Sequence, residues 1–166
     1  MKIEPDRIET VYDFYDKLVK NSCADYLKNH TGSLVASVNA CMAIYHLTDW
    51  YVKSVPCDKK SFLDGVKVKC PEIDIARRLI NAAKHGNDTK YDDVIFERTT
   101  EFVTDPYHDT EFPVHYVAAH INEDIYDVRT IVEAGLAFWE QEIKNLPSEK
   151  DRHPEKFDDS IESGDW

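Results

Sequence analysis

Ser33–Ser54 reads SLVASVNACMAIYHLTDWYVKS, and this stretch decides the fold. Ser33 is a side-chain cap for a helix that runs to Lys53 or Ser54. On a helical wheel Leu34, Val38, Tyr45 and Val52 lie on one side, Ile44, Leu47 and Tyr51 on another, and Val35, Met42 and Trp50 between them. A helix that is apolar most of the way round belongs in the middle of a domain. One strip breaks the pattern, because Asn39, His46 and Lys53 recur every seven residues and Asp49 follows three after His46. Polar groups on a buried helix are costly unless they are paired or reach a water-filled pocket.

The flanking segments supply the rest of a helical domain. Residues 6–28 carry Ile8, Val11, Tyr12, Tyr15, Leu18, Val19 and Tyr26 at helical spacing behind the start signal Pro5-Asp6. They predict one amphipathic helix, broken by NHTGS at Asn29–Ser33. VPCDKK ends the long helix, Ser61 caps a short one through Val66, and Pro71 opens a third main helix that stops at Gly86. After GNDTKYDD the pattern changes to VIFERTTEFV and FPVHYVAAHI, rich in β-branched and aromatic residues with partial alternation. Two or three antiparallel strands are expected within about 94–126.

Asp127 then caps a last helix striped by Val128, Ile131, Val132, Leu136, Trp139, Ile143 and Leu146, which ends before Pro147. The fold class read from this order is α+β and mainly helical. A single domain over 1–146 is a helical bundle with a small antiparallel hairpin or sheet between the third main helix and the C-terminal helix. Residues 147–166 form an acidic tail, mobile or pinned on the surface, with Phe157, Ile161 and Trp166 able to dock it.

Composition narrows the function classes. A chain of 166 residues buries roughly two-thirds of its unfolded surface and needs no disulfides. Apolar runs fall short of the ~20 residues that span a bilayer, and MKIEPDRIET does not read as a signal peptide, so a cytoplasmic protein with no membrane partner is expected. Cys23, Cys41, Cys57 and Cys70 contain no CxxC pair and read as reduced thiols. The net charge of -12 argues against a broad basic groove for nucleic acid. GxSxG, Walker A and GxGxxG patterns are missing, which removes the common serine hydrolase and nucleotide-binding readings.

The third main helix ends in RRLINAAKHG, Arg77–Gly86. Ile75, Leu79, Ala82 and Ala83 share its apolar face, Arg78, Asn81 and His85 share a strip beside that face, and Arg77 and Lys84 point toward solvent. If this helix packs beside the long one, His46 and Asp49 face Arg78, Asn81 and His85. Such a cluster suits acid/base chemistry on a phosphodiester, with a histidine titrating near neutrality, an arginine for phosphate charge and an asparagine to orient them. RNA brings its own 2′-hydroxyl nucleophile, so no metal or cofactor is required. The same residues also suit a plain helix end, where Lys84 and His85 meet the negative pole.

His46 and Asp49 have the i,i+3 spacing of helical metal sites, which His85 or His120 would complete. HExxH and ExxH patterns are missing, and a histidine bonded to an aspartate is the commoner arrangement, so no metal site is expected. His108, His115 and His120 fall in the strand region; the last two are five residues apart, on opposite faces of one strand, at surface or edge positions.

The helix pair SLVASVNACMAIYHLTDWYVKS and IDIARRLINAAKHG resembles the HEPN superfamily of small helical domains over roughly residues 6–86. Many members carry an arginine, four to six residues and then a histidine, and dimerise to form a metal-independent RNase site. Arg78 and His85, with six residues between, are the matching positions. The chain departs from the pattern at Leu79, where active members usually have a polar residue, and in the strand-like segment 94–126. The resemblance implies defence-type RNA cleavage through Arg78 and His85, helped by His46, Asp49 and Asn81. The alternative reading is a non-catalytic interaction protein whose acidic surface and tail bind another protein. A homodimer fits either, if the first helix exposes an apolar strip.

Overall fold

Val11, Tyr15, Val19 and Cys23 are buried, each four residues after the last. In a regular α-helix a four-residue step overshoots a full turn by about 40°, so such residues would drift off one face. The chain resolves this by widening. After a short α1, Val11–Asp13, it forms a π-helical segment, Phe14–Val19, before α2, Lys20–Asn29. The helix begins later than Asp6 promised, because Thr10 and Asp13 form a reciprocal capping box, and Ile8 therefore precedes it.

The computed structural model describes residues 7–85, 93–108 and 110–147. The remaining elements are α3 (Leu34–Ser54), α4 (Lys59–Lys69), α5 (Pro71–Lys84), β1 (Val94–Asp105), β2 (Thr110–Ile121), β3 (Asp124–Asp127) and α6 (Val128–Lys144). The architecture is α+β and mainly helical, as read from the sequence.

α3 lies at the centre, packed by α2, α5 and α6. Ala40, Cys41, Ile44, Leu47 and Tyr51 are its buried side, and the buried hydroxyls of Ser37 and Thr48 donate to backbone carbonyls one turn back. The Trp139 indole N–H of α6 donates to the Ile44 carbonyl at 2.9 Å, and Gly135 lets the two helices meet at Ile44. The helix is not buried all round. Val35 is 70% exposed, and Leu34 and Met42 are partly so. Asn39, His46 and Lys53 also face outward, so the strip read as buried stays hydrated and avoids the desolvation penalty.

α4 starts earlier and runs further than the expected Ser61–Val66. Asp58 is the true cap, its carboxylate accepting from the Ser61 backbone N–H at 2.9 Å, and the Ser61 hydroxyl also donates to it. α5 opens on Pro71 as expected and buries Ile73, Ala76, Leu79, Ile80 and Ala82, while Ala83 faces solvent. His85 is the C-cap, its N–H donating to the Asn81 carbonyl at 2.8 Å; the expected stop, Gly86, lies outside the described residues.

The sheet has the order β1-β2-β3, all antiparallel. β1 and β2 pair from Val94↔Ile121 out to Asp105↔Thr110, whereas β3 covers only Ala118–Ile121. The β2–β3 turn is tight, with Asn122 at φ 56°, a left-handed conformation that asparagine tolerates. Val117 and Ala119 are buried against the helices, and Asp127 caps α6 by accepting from the Arg129 N–H. α6 turns Val128, Ile131, Val132, Trp139 and Ile143 inward.

Among the described residues no helix is long and apolar enough to cross a membrane. The four cysteines are free, with Cys23, Cys41 and Cys70 buried and Cys57 exposed. The acidic tail with Phe157, Ile161 and Trp166 lies outside the described residues.

Candidate functional site

The two polar strips of the sequence take separate partners. On α3, His46 Nδ1 stands 3.6 Å from Asp49 Oδ2, and Lys59 of α4 donates to the other oxygen of the same carboxylate. Partial burial works against ionisation of Asp49, but the Lys59 ammonium and His46 outweigh it and hold the carboxyl below its usual range. On α5, Arg78 and Asn81 lie one turn apart, and His85 follows the helix as its C-cap with a non-helical backbone. Arg78 pairs with Asp93, just before β1, and the Asp93 carbonyl accepts from Asn122 N–H at the β2–β3 turn. Arg78 thus stitches α5 to the sheet.

The structure therefore sets His46 beside Asp49, while the charged members Asp49 and Arg78 are each tied to a residue outside both strips. His85 is exposed at the helix end. Arg77 turns from the solvent to Asp74 and lines a cleft of about 590 Å³ between α3, α4 and α5, together with Tyr45, Lys59, Lys60 and Leu63. Its charges are mixed, since Asp58, Asp64 and Asp74 stand among the cations. Among the described residues, no group of three or more His, Cys, Asp or Glu side chains is placed to hold a metal ion.

The sheet carries what sequence patterning missed. Near the body one face of the β1–β2 hairpin packs on the helices through Phe96, Val117 and Ala119. Beyond Thr100↔His115 the ladder continues with no buried side chain among the described residues. Phe102 is 66% exposed, Tyr107 at the tip 90%, and Val103 and Phe112, a cross-strand pair, are also exposed. The tip itself is ordered by Asp105, which accepts from the Tyr107 N–H at 2.8 Å and bonds His108 Nδ1 at 2.9 Å. Those contacts hold the Asp105 carboxyl below its ordinary range, the Tyr107 N–H contributing most. By contrast the first helix hides its apolar residues, with Val11, Tyr15, Val19 and Tyr26 inside and Leu18 at the surface.

No family model, curated protein or solved structure matches the chain.

Proposed function

We propose that the chain is a non-catalytic binding module that docks another protein through the distal half of the β1–β2 hairpin. The observation that carries this reading is the apolar arm of Phe102, Val103 and Phe112, paired in the ladder yet exposed on both faces, with Tyr107 exposed at its tip. An isolated two-stranded hairpin is marginal in water, and apolar side chains left exposed on both of its faces mark it for cover by a partner. Among the described residues the outer edge of β1 has no neighbouring strand, and it offers backbone groups to an added one. Glu101, Asp105 and Glu111 flank the apolar residues, and the whole chain carries -12, so the partner is a protein segment with apolar side chains set among basic ones.

A photo-crosslinking residue at position 102 is expected to trap that partner. Binding of the purified partner should then weaken about tenfold or more in Phe102→Ser/Phe112→Ser, whose exposed sites leave folding stability within about 0.5 kcal/mol. Adducts only with a second copy of the chain, or binding unaffected by the double substitution, contradict the proposal.

A second reading, RNA cleavage through Arg78 and His85, is favoured by one observation: Arg78 and Asn81 lie one turn apart on α5, and His85 is exposed at its end. In that reading His46 and Asp49 assist from α3. The pure protein would cut RNA without added metal, and His85→Ala would abolish the cutting. Equal activity in both proteins sinks it.

A further inference from the structure

We infer that a second cleft, between the α2–α3 turn and the root of the hairpin, binds a phosphate group. The cleft measures about 460 Å³, within the range of small-molecule sites, and is lined by His30, Gly32, Ser33, Arg98, Thr100 and His115, with Asn29 and Thr99 at its margin. None of these residues is acidic, in a chain with 32 acidic residues.

Strand alternation accounts for the segregation. Thr100 pairs with His115 and Arg98 with Val117, so Arg98, Thr100 and His115 project from one face of the hairpin. The neighbouring carboxylates Glu97 and Glu101 project from the other. There Glu97 meets His120 at 2.9 Å, and Glu101 meets Arg129, whose guanidinium also stacks on Tyr116. Arg7, Arg77, Arg78 and Arg129 each pair with a carboxylate; among the described arginines, Arg98 has no such partner. The acidic group beside the cleft is Asp25, which is engaged by the Asn29 side chain at 2.8 Å and stands 3.5 Å from His30 Nε2.

The cleft is built rather than incidental. Thr31 donates its hydroxyl to the His115 carbonyl at 2.7 Å, which ties the turn to β2. Gly32 approaches so closely that a Cβ there would stand 2.7 Å from the Cβ of His115. His115 Nδ1 lies 3.0 Å from the Thr100 hydroxyl. With that hydroxyl donating to Nδ1, Nε2 carries the ring proton and serves as a donor. A planar guanidinium, an imidazole N–H and the Ser33 hydroxyl, which accepts from the Ala36 N–H and keeps its own proton to donate, are a donor set that phosphate oxygens suit.

The test is a titration of the full chain with inorganic phosphate and, separately, with a nucleoside 5′-monophosphate, followed by amide NMR shifts at constant ionic strength. Saturable millimolar or tighter binding should move Gly32, Thr99, Thr100 and His115, and Arg98→Gln should weaken it about tenfold or more. His115→Asn should weaken it as well, while Lys60→Ala, in the other cleft, should leave it unchanged. Tighter binding of the nucleotide identifies a phosphate ester as occupant, and equal binding identifies the free anion; either supports the site. Failure to saturate at millimolar concentration overturns it. So do shifts centred on Lys60 and Lys67, or binding that Arg98→Gln and His115→Asn leave intact in variants that melt like the parent.

Discussion

Gly135→Ala sets two effects of known sign against each other where α6 crosses α3. A glycine inside a helix costs about 1 kcal/mol relative to alanine, so the substitution alone would stabilise α6. The added Cβ, however, would stand 2.7 Å from Ile44 Cγ2 and 3.1 Å from Ile44 Cδ1. Cγ2 is a branch on the β-carbon of a stiff helical side chain and has little freedom to move aside. Ile44 itself is fully buried, and its carbonyl is fixed by the Trp139 indole. Overpacking of this kind costs about 1–3 kcal/mol, which outweighs the propensity gain and leaves a net loss of about 1 kcal/mol. In an Ile44→Ala background, itself weaker by about 2–5 kcal/mol, the obstructing atoms are gone. There Gly135→Ala should stabilise by about 1 kcal/mol, a reversal of sign within one double-mutant cycle. Urea unfolding of the four proteins reads it directly. Stabilisation in the parent, or the same effect in both backgrounds, refutes the packing argument.

Other outcomes follow from burial and charge. Burial pushes the Cys23 and Cys41 thiols up to about 12 and Cys70 to about 11, so a thiol reagent should label exposed Cys57 first and the other three only on unfolding; single-phase labelling of all four would contradict this. Because the folded-state pKa of Asp49 is depressed below 3.8, its stabilising contribution is present above that pH and is lost as pH falls through the folded value. Asp49→Asn should therefore melt lower than the parent near neutrality, by under about 1 kcal/mol for a partly exposed pair, and converge with it in acid. Tyr15 and Tyr26 are raised by burial to about 12, so stability should fall as pH rises above 10; ionisation of these two rings, followed by their own NMR resonances, should appear together with unfolding rather than before it.

Sequence legibility followed the range of the interactions. Ser33, Pro71 and Asp127 act within a turn of their own helix, and each marks a helix start in the structure. The α6 stripe was equally local. Asp58 displaced Ser61 because its carboxylate accepts from both the N–H and the hydroxyl of Ser61 and so draws that residue into the first turn, although both residue types make good caps. The four-residue steps from Val11 to Cys23 were visible, but a π-helical turn is a rare answer to them. The polar strip of α3 misled because its wheel shows which residues share a side and not which side meets solvent. The cleft at Arg98 and His115 depends on strand register, which alternation alone does not give. Nor does alternation tell a strand backed by helices from one that projects beyond them, as the β1–β2 hairpin does from Glu101 outward.

The proposed contact with a partner lies in the distal half of that hairpin. Photo-crosslinking residues placed one at a time at positions 60, 95, 102, 103 and 112 test it most directly, with each adduct quantified by mass spectrometry. Adducts with one other protein are expected, concentrated at 102, 103 and 112 and weak at 95 and 60. Equal yields at all five positions, or a maximum at 60 or 95, would contradict it.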